Sequence, residues 1–550
     1  MKDFDQSKTI SRRLPETVMR LSRMGQAFPT RLSFLPALLR RLKKSAAKVS
    51  RDIWHINSQG YGHALYSISV DGYVYSLIVV SSLIDDAQRT DRVIADVWDS
   101  AFVLYDGIPT SDEIVRIVRD APKQEAARFT NRDLILSRAN KSVRLFDHVI
   151  ECLRKNSQPD PLHVRNTGYL MRTTAVYGNG KFGIADQKRI ADRPVLSGPF
   201  MAEMLTIWLI RGFSHDLVEH LGGAKLNRKL KRHLGVGNAT GLGMAPFLVN
   251  HPILLNAWVH ARETALGRVR RLAKISNSEV GQIQKLSQRV AIYLNEWQVS
   301  DDKAMREIIL LRQEWEEFAR NLTDRILIGS EPINSLWEIA QSKSVSLQEL
   351  VAAFLIEPFG YLVDDLVDDM AVNSHLWFQP EMPITQLKEA LFRNWDWCLD
   401  IDFLNPENEG QFWYVSKSKL EPRLGIRYQD AGSELELPLD IARQVQAMAS
   451  ALDDHNEDLL AFLRKFPQHR SAVRRVQTLS QFPYAEIRDN LISQYCRPID
   501  LLRFKLAFLG AAKFDPKSDR WTRVTLAQGA PLFDELEAEP DCWLSVLDLP

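Results

Sequence analysis

The sequence predicts a mainly α protein, with a large multi-helix core, a small N-terminal β-hairpin element and minor mixed β structure near the C-terminus. Three observations carry this. Helical periodicity runs through most of the chain. Two β-rich runs flank Asp71-Gly72, a strong tight-turn signal. Further strand-like runs, QFWYVSKS and DRWTRVTLAQ, occur only beyond about Pro406. With 45% hydrophobic and 25% charged residues among 550, the composition is that of a packed globular chain and not of a disordered or fibrous one.

Residues 1–52 read as a basic helical arm. Arg12, Arg13, Arg20, Arg23, Arg31, Arg40, Arg41, Lys43, Lys44 and Lys48 face only Asp3, Asp5 and Glu16. Leu32, Leu35, Leu38, Leu39 and Leu42 form a helical stripe, which predicts docking on the body of the protein. The same charge would also suit peripheral contact with a membrane or polyanion, and the acid-poor composition is shared by transit peptides.

Residues 53–156 read as an α+β region. The hairpin in YGHALYSISVDGYVYSLIVVSS is followed by expected helices in DRVIADVWDSAFVLYDG, SDEIVRIVRDA and NRDLILSRANKSVRLFDHVIECLRKN, up to the break at NSQPDP. Residues 157–330 read as a central helical region with two Gly/Asn-rich loops. Its first helix, within SGPFMAEMLTIWLIRGFSHDLVEHL, is expected to be capped by Ser197 with Pro199 in the first turn, and long amphipathic helices follow from about Pro252 to Thr323. Residues 331–404 read as helical with a kink or break at Pro358, and 405–550 as a mixed region.

Composition also sets limits on function. Lys and Arg number 70 against 69 Asp and Glu, so no global field would recruit nucleic acid, and none is expected as a partner. Cys152, Cys398, Cys496 and Cys542 are too scattered for a zinc site, which favours a reducing, cytoplasmic setting. The apolar runs Tyr73–Ile84 and Phe200–Ile210 fall short of the roughly 20 residues that a transmembrane helix needs. Nothing in the sequence excludes a homo-oligomer.

Chemistry is best sought in the two glycine-rich stretches. In RTTAVYGNGKFGIADQKR, Gly178, Gly180 and Gly183 satisfy GxGxxG, the pattern by which backbone amides approach a pyrophosphate. The polar, proline-ended continuation is unlike the helix a dinucleotide site requires. The same six residues resemble the glycine loop of protein kinases, with Phe182 in the aromatic position, but the companion lysine, H-R-D and D-F-G motifs are absent. What remains is an anion site: backbone amides beside Arg172, Thr173, Lys181, Lys188 and Arg189.

The second stretch, GVGNATGLGMAP, has more small residues than a helix connection needs, which predicts close approach to a ligand or another segment. Gly237, Asn238, Thr240 and Gly241 would meet Gly178, Asn179, Gly180 and Lys181 around one anionic small molecule, carboxylated or phosphorylated. Tyr177 and His251 are the candidates for proton transfer.

Two metal readings compete with the anion site. His215 and Glu219, like Asp216 and His220, share helical faces, and His260 and Glu263 lie on a neighbouring helix. DDLVDD, Asp364 to Asp369, contains DDxxD and resembles the aspartate-rich motif of isoprenoid synthases, which implies diphosphate bound through magnesium; a looser form occurs at Asp85 to Asp91. A non-catalytic binding or scaffold protein is the remaining class. Near the C-terminus Arg488, Asp489, Asn490, Arg497, Asp500 and Arg503 are interspersed with apolar residues, as in half-buried ion pairs. Reaction type and cofactor have no signature.

Overall fold

The computed structural model describes residues 12–85, 97–123, 128–175, 190–241, 252–328, 331–370, 377–405, 438–453, 458–487, 497–518, 521–537 and 543–547. Helix accounts for most of the regular structure, but a large sheet organises it. Nine strands, β1 (Lys48–Ile56), β2 (Gly62–Val70), β3 (Tyr73–Ser81), β4 (Ser100–Asp106), β5 (Asp133–Lys141), β6 (Tyr169–Thr173), β7 (Gly235–Gly241), β8 (Phe514–Ser518) and β9 (Trp521–Leu526), join in the order β1-β2-β3-β4-β5-β6-β7-β9-β8. Every neighbouring pair is antiparallel except β6 and β7, which run parallel.

This corrects the expected fold class, in which β structure was a small N-terminal hairpin. The hairpin is present: Val70 pairs with Tyr73, and Asp71 and Gly72 both take positive φ (48° and 79°), as the tight turn demands. It forms only part of a nine-stranded mixed sheet. Two stretches expected as helix, AFVLYD and DLILSRANK, are β4 and β5, and the second glycine-rich stretch supplies β7.

The physical reason for the error is double burial. Phe102 and Leu104 of β4 join one core, while Ala101, Val103 and Tyr105 join another on the opposite face. A strand covered on both sides reads as a continuous apolar run, which periodicity cannot tell from a buried helix. Strand-like QFWYVSKS lies outside the described residues, whereas DRWTRVTLAQ supplies β9.

One face of the sheet is covered by helix α1 (Ser111–Asp120), which Thr110 and Glu113 start with a reciprocal capping box. The other face meets the main helical body. Its first long helix, α2 (Met201–Gly222), begins four residues after Ser197, behind Phe200 in the left-handed region (φ 59°). Phe213 of α2 packs against Trp54, Tyr66 and Phe102, and helices α3 (Pro252–Arg270), α4 (Asn277–Glu296), α5 (Asp302–Ile328), α6 (Val345–Ile356) and α7 (Pro498–Leu509) complete the body. Helix α6 is buried on almost every side and ends at Ile356, just before Pro358.

The leucine stripe of the arm is docked. In the helix Phe34–Lys44, Leu35, Leu38, Leu39 and Leu42 are buried in the main core. Its charges have partners too. Arg13 donates to Glu263 (2.9 Å), Arg23 to Glu349 (2.8 Å), and Arg262 also reaches Glu349. Burial opposes ionisation of Glu349, but Arg13, Arg262 and Arg23 outweigh it and hold the carboxyl well below the usual carboxylate range.

A separate core forms within 382–485. Leu387, Leu391, Trp395, Val445, Met448, Val473 and Val476 pack together from the helices Ile384–Leu399, Pro438–Asp453 and Arg470–Gln481. Tyr484 ties it to the main body, donating its hydroxyl to the Arg13 carbonyl and its backbone N–H to Asn256 Oδ1 (3.2 Å).

Candidate functional site

The β6–β7 pair brings half of the expected site residues together. Arg172 stands opposite Gly237 and the two strands run the same way; β6 ends at Thr173, while β7 continues to Gly241 along β9. Asn238 Nδ2 donates to the Thr173 carbonyl at 2.8 Å. Adjacent strands lie only about 5 Å apart, so Arg172 and Thr173 lie beside Gly237 and Asn238. Tyr177, Gly178, Asn179, Gly180, Lys181 and His251 lie outside the described residues, as do Lys188 and Arg189; Thr240 and Gly241 are described as part of β7.

Glycine is needed in β7 for packing between strands. A Cβ at Gly237 would lie 2.6 Å from the Tyr169 ring, and one at Gly235 would lie 2.2 Å from the Leu526 carbonyl oxygen. Of the two neighbours that the small residues predict, a ligand or another segment, another segment is present at these positions.

A band of buried polar side chains crosses the sheet here. Asn140 of β5 pairs with Arg172 of β6, and both are buried, as is Asn238. Thr173 Oγ1 and Ser137 Oγ share a hydrogen bond of 2.7 Å, and the Ala175 N–H closes onto Thr173 Oγ1. Asn140 Oδ1 accepts from the Asp99 N–H at 2.9 Å. Asn140 Nδ2 and Asn238 Oδ1 are left without a partner among the described residues. Buried amides whose hydrogen-bonding capacity is half used are costly unless another group completes them. Sequence reasoning missed Ser137 and Asn140, because RANKS was read as helix; the run of polar residues after an apolar stretch was the available signal.

The start of β7 is pinned by α2. Arg211, almost fully buried, donates to the carbonyls of Leu234 (2.7 Å), Lys231 (3.0 Å), Arg232 (2.9 Å) and Pro531 (3.1 Å), and Trp208 Nε1 reaches the same Pro531 carbonyl at 2.9 Å. His233 leads into the strand, buried against Gln528. Burial, with Lys513, Arg165 and Arg211 nearby, pushes its imidazole down to about 3.

Most residues of the metal readings are engaged elsewhere, while His215 Nε2 is buried without a hydrogen-bond partner among the described residues. His215 is buried and held well below its ordinary value by burial, Arg211 and Lys231. Asp216 accepts from Tyr66 (2.8 Å), Glu219 from Lys225 (2.8 Å), and His220 meets the Asn57 carbonyl (2.9 Å). His260 lies 3.3 Å from Arg12, and Glu263 holds Arg13.

The DDLVDD segment pairs with arginine. Asp364 takes Arg31 (2.6 Å), Asp365 takes Arg268 (2.6 Å) and Asp368 takes Arg41 (3.0 Å). No group of three or more His, Cys, Asp or Glu among the described residues is arranged to hold a metal ion. Asp86 to Asp91 fall outside them. Nor is any described helix long and apolar enough to cross a membrane.

Comparison with known proteins finds no match, whether among family models, curated proteins or solved structures.

Proposed function

We propose that this protein binds an anionic small molecule, carboxylated or phosphorylated, at the carboxyl edge of β6 and β7, and acts on it as an enzyme. The observation that carries this reading is the parallel pairing of Arg172 with Gly237, the one parallel step in the sheet. In open sheets with parallel strands, ligands settle in the crevice beyond the carboxyl ends of those strands, and β6 and β7 are the pair whose carboxyl ends point the same way. The unfilled hydrogen-bonding atoms of Asn238 and Asn140 beside a buried arginine add polar groups able to orient a ligand. Tyr177, four residues beyond β6 in the sequence, and His251, just before α3, are the proposed proton-transfer groups. The free thiols Cys152 and Cys398 suit a cytoplasmic setting.

Thermal-shift screening with nucleotides, acyl-CoA thioesters and simple carboxylates tests the proposal, because a ligand of the native state raises its apparent stability. One anionic class should raise Tm, and Arg172→Gln and Asn238→Ala should each weaken its binding at least tenfold with the fold retained by circular dichroism. Unchanged affinity in both folded variants would leave a binding or scaffold protein without this site.

A further inference from the structure

A second polar cleft lies far along the chain from β6 and β7, and it involves the mixed charged segment near the C-terminus. It is lined by Trp297 at the end of α4, Glu307 of α5, Arg497 just before α7, Asp500 and Arg503 of α7, and Phe514 of β8, and it holds ≈ 380 Å³ of space counted out to its mouth. Most of that space is open to solvent, and the enclosed part has room for about one water-sized group.

The charges in this cleft are unevenly matched. Arg497 is spoken for, because it binds Asp301 at 2.9 Å. Asp500 accepts from the Arg497 backbone N–H at 2.7 Å, and burial pushes its carboxyl up to about 6. Arg503 has no hydrogen bond or ion pair with any described residue. Its guanidinium instead sits among three rings, Phe28, Trp297 and Phe514, at 5.2, 5.4 and 5.7 Å from their centroids. Glu307 on the facing helix likewise forms no ion pair or hydrogen bond with any described residue, although it lines the same cleft and lies close enough to favour the charged form of Arg503.

A guanidinium has five donors and no way to lose its charge, so a partly buried one calls for an oxyanion. Here two opposite charges share one cleft and lie beyond ion-pair reach of each other. A ligand carrying both signs would complete both. A dianion such as phosphate would answer Arg503 but meet Glu307 and Asp500 as like charges. The aromatic rings favour the cationic and apolar parts of such a ligand.

We propose that the cleft between α4, α5 and α7 binds a compact α-amino acid, its carboxylate on Arg503 and its ammonium toward Glu307 and Asp500. The proposal is independent of the β6–β7 reading, since the two sites share no residue.

Isothermal titration of the full chain with glycine and L-alanine, and with acetate, methylamine and inorganic phosphate as single-charge and dianionic probes, tests it. At least one amino acid should bind, with acetate and methylamine each at least tenfold weaker. Arg503→Gln and Glu307→Gln should each weaken amino-acid binding at least tenfold. Glu307 has no hydrogen bond or ion pair to lose among the described residues, so Glu307→Gln decides the matter if Arg503→Gln fails to fold. Tighter binding of phosphate than of either amino acid, no binding of any probe, or full binding by Glu307→Gln would each overturn the proposal.

Discussion

At the scale of single residues, burial decides which charges exist. His215 and His233 flank the start of β7, both buried and both pushed well below their ordinary value of 6.5. A base depressed in the folded state binds fewer protons there than in the unfolded chain. Its contribution is therefore intact above pH 6.5 and is lost as pH falls toward the folded value of about 3 for His233. Each buried neutral histidine should cost about 1.4 kcal/mol of stability per pH unit below 6.5. His233→Gln should flatten the acid limb of the urea midpoint against pH, and an unchanged slope would show that His233 titrates alike in both states. The sequence displayed these histidines in helical spacing that suited a metal site, but it could not show that Arg211, Lys231 and the core surround them.

At the scale of elements, the basic arm and the aspartate-rich turn explain each other. Each was conspicuous in sequence and each invited an external partner, a polyanion for one and magnesium for the other. In the fold Arg31 grips Asp364 with Nε and Nη2 at 2.6 and 2.8 Å, and Arg41 meets Asp368. A two-pronged, partly buried contact of this kind is worth about 1–2 kcal/mol beyond an exposed pair. Arg31→Ala should lower stability by that amount and speed trypsin cleavage within the arm, and equal cleavage rates in variant and parent would mean that the leucine stripe alone holds it. The stripe was legible because amphipathic spacing is local. The pairing was not, because more than 300 residues separate Arg31 from Asp364.

At the scale of the whole molecule, the main core gathers residues from Val18 to Leu547, while the cluster around Trp395 keeps to Met382–Ala485. Truncating Trp395, almost fully buried, should cost about 3–5 kcal/mol. Hydrogen exchange of Trp395→Ala should quicken in Ile384–Leu399 and Arg470–Gln481 and leave β2 to β5 unchanged; a uniform rise would mean that both cores unfold as one. By itself the sequence determined the hairpin at Asp71-Gly72, the docked stripe of the arm and the long central helices, since turn chemistry and periodicity act over a few residues. Only the tertiary structure decided that β4 and β5 are strands, that Gly235–Gly241 is threaded between β6 and β9, and that Arg172 lies beside Asn238. Those outcomes depend on partners tens to hundreds of residues away, and burial on both faces of a sheet erases the alternation that would otherwise have revealed them.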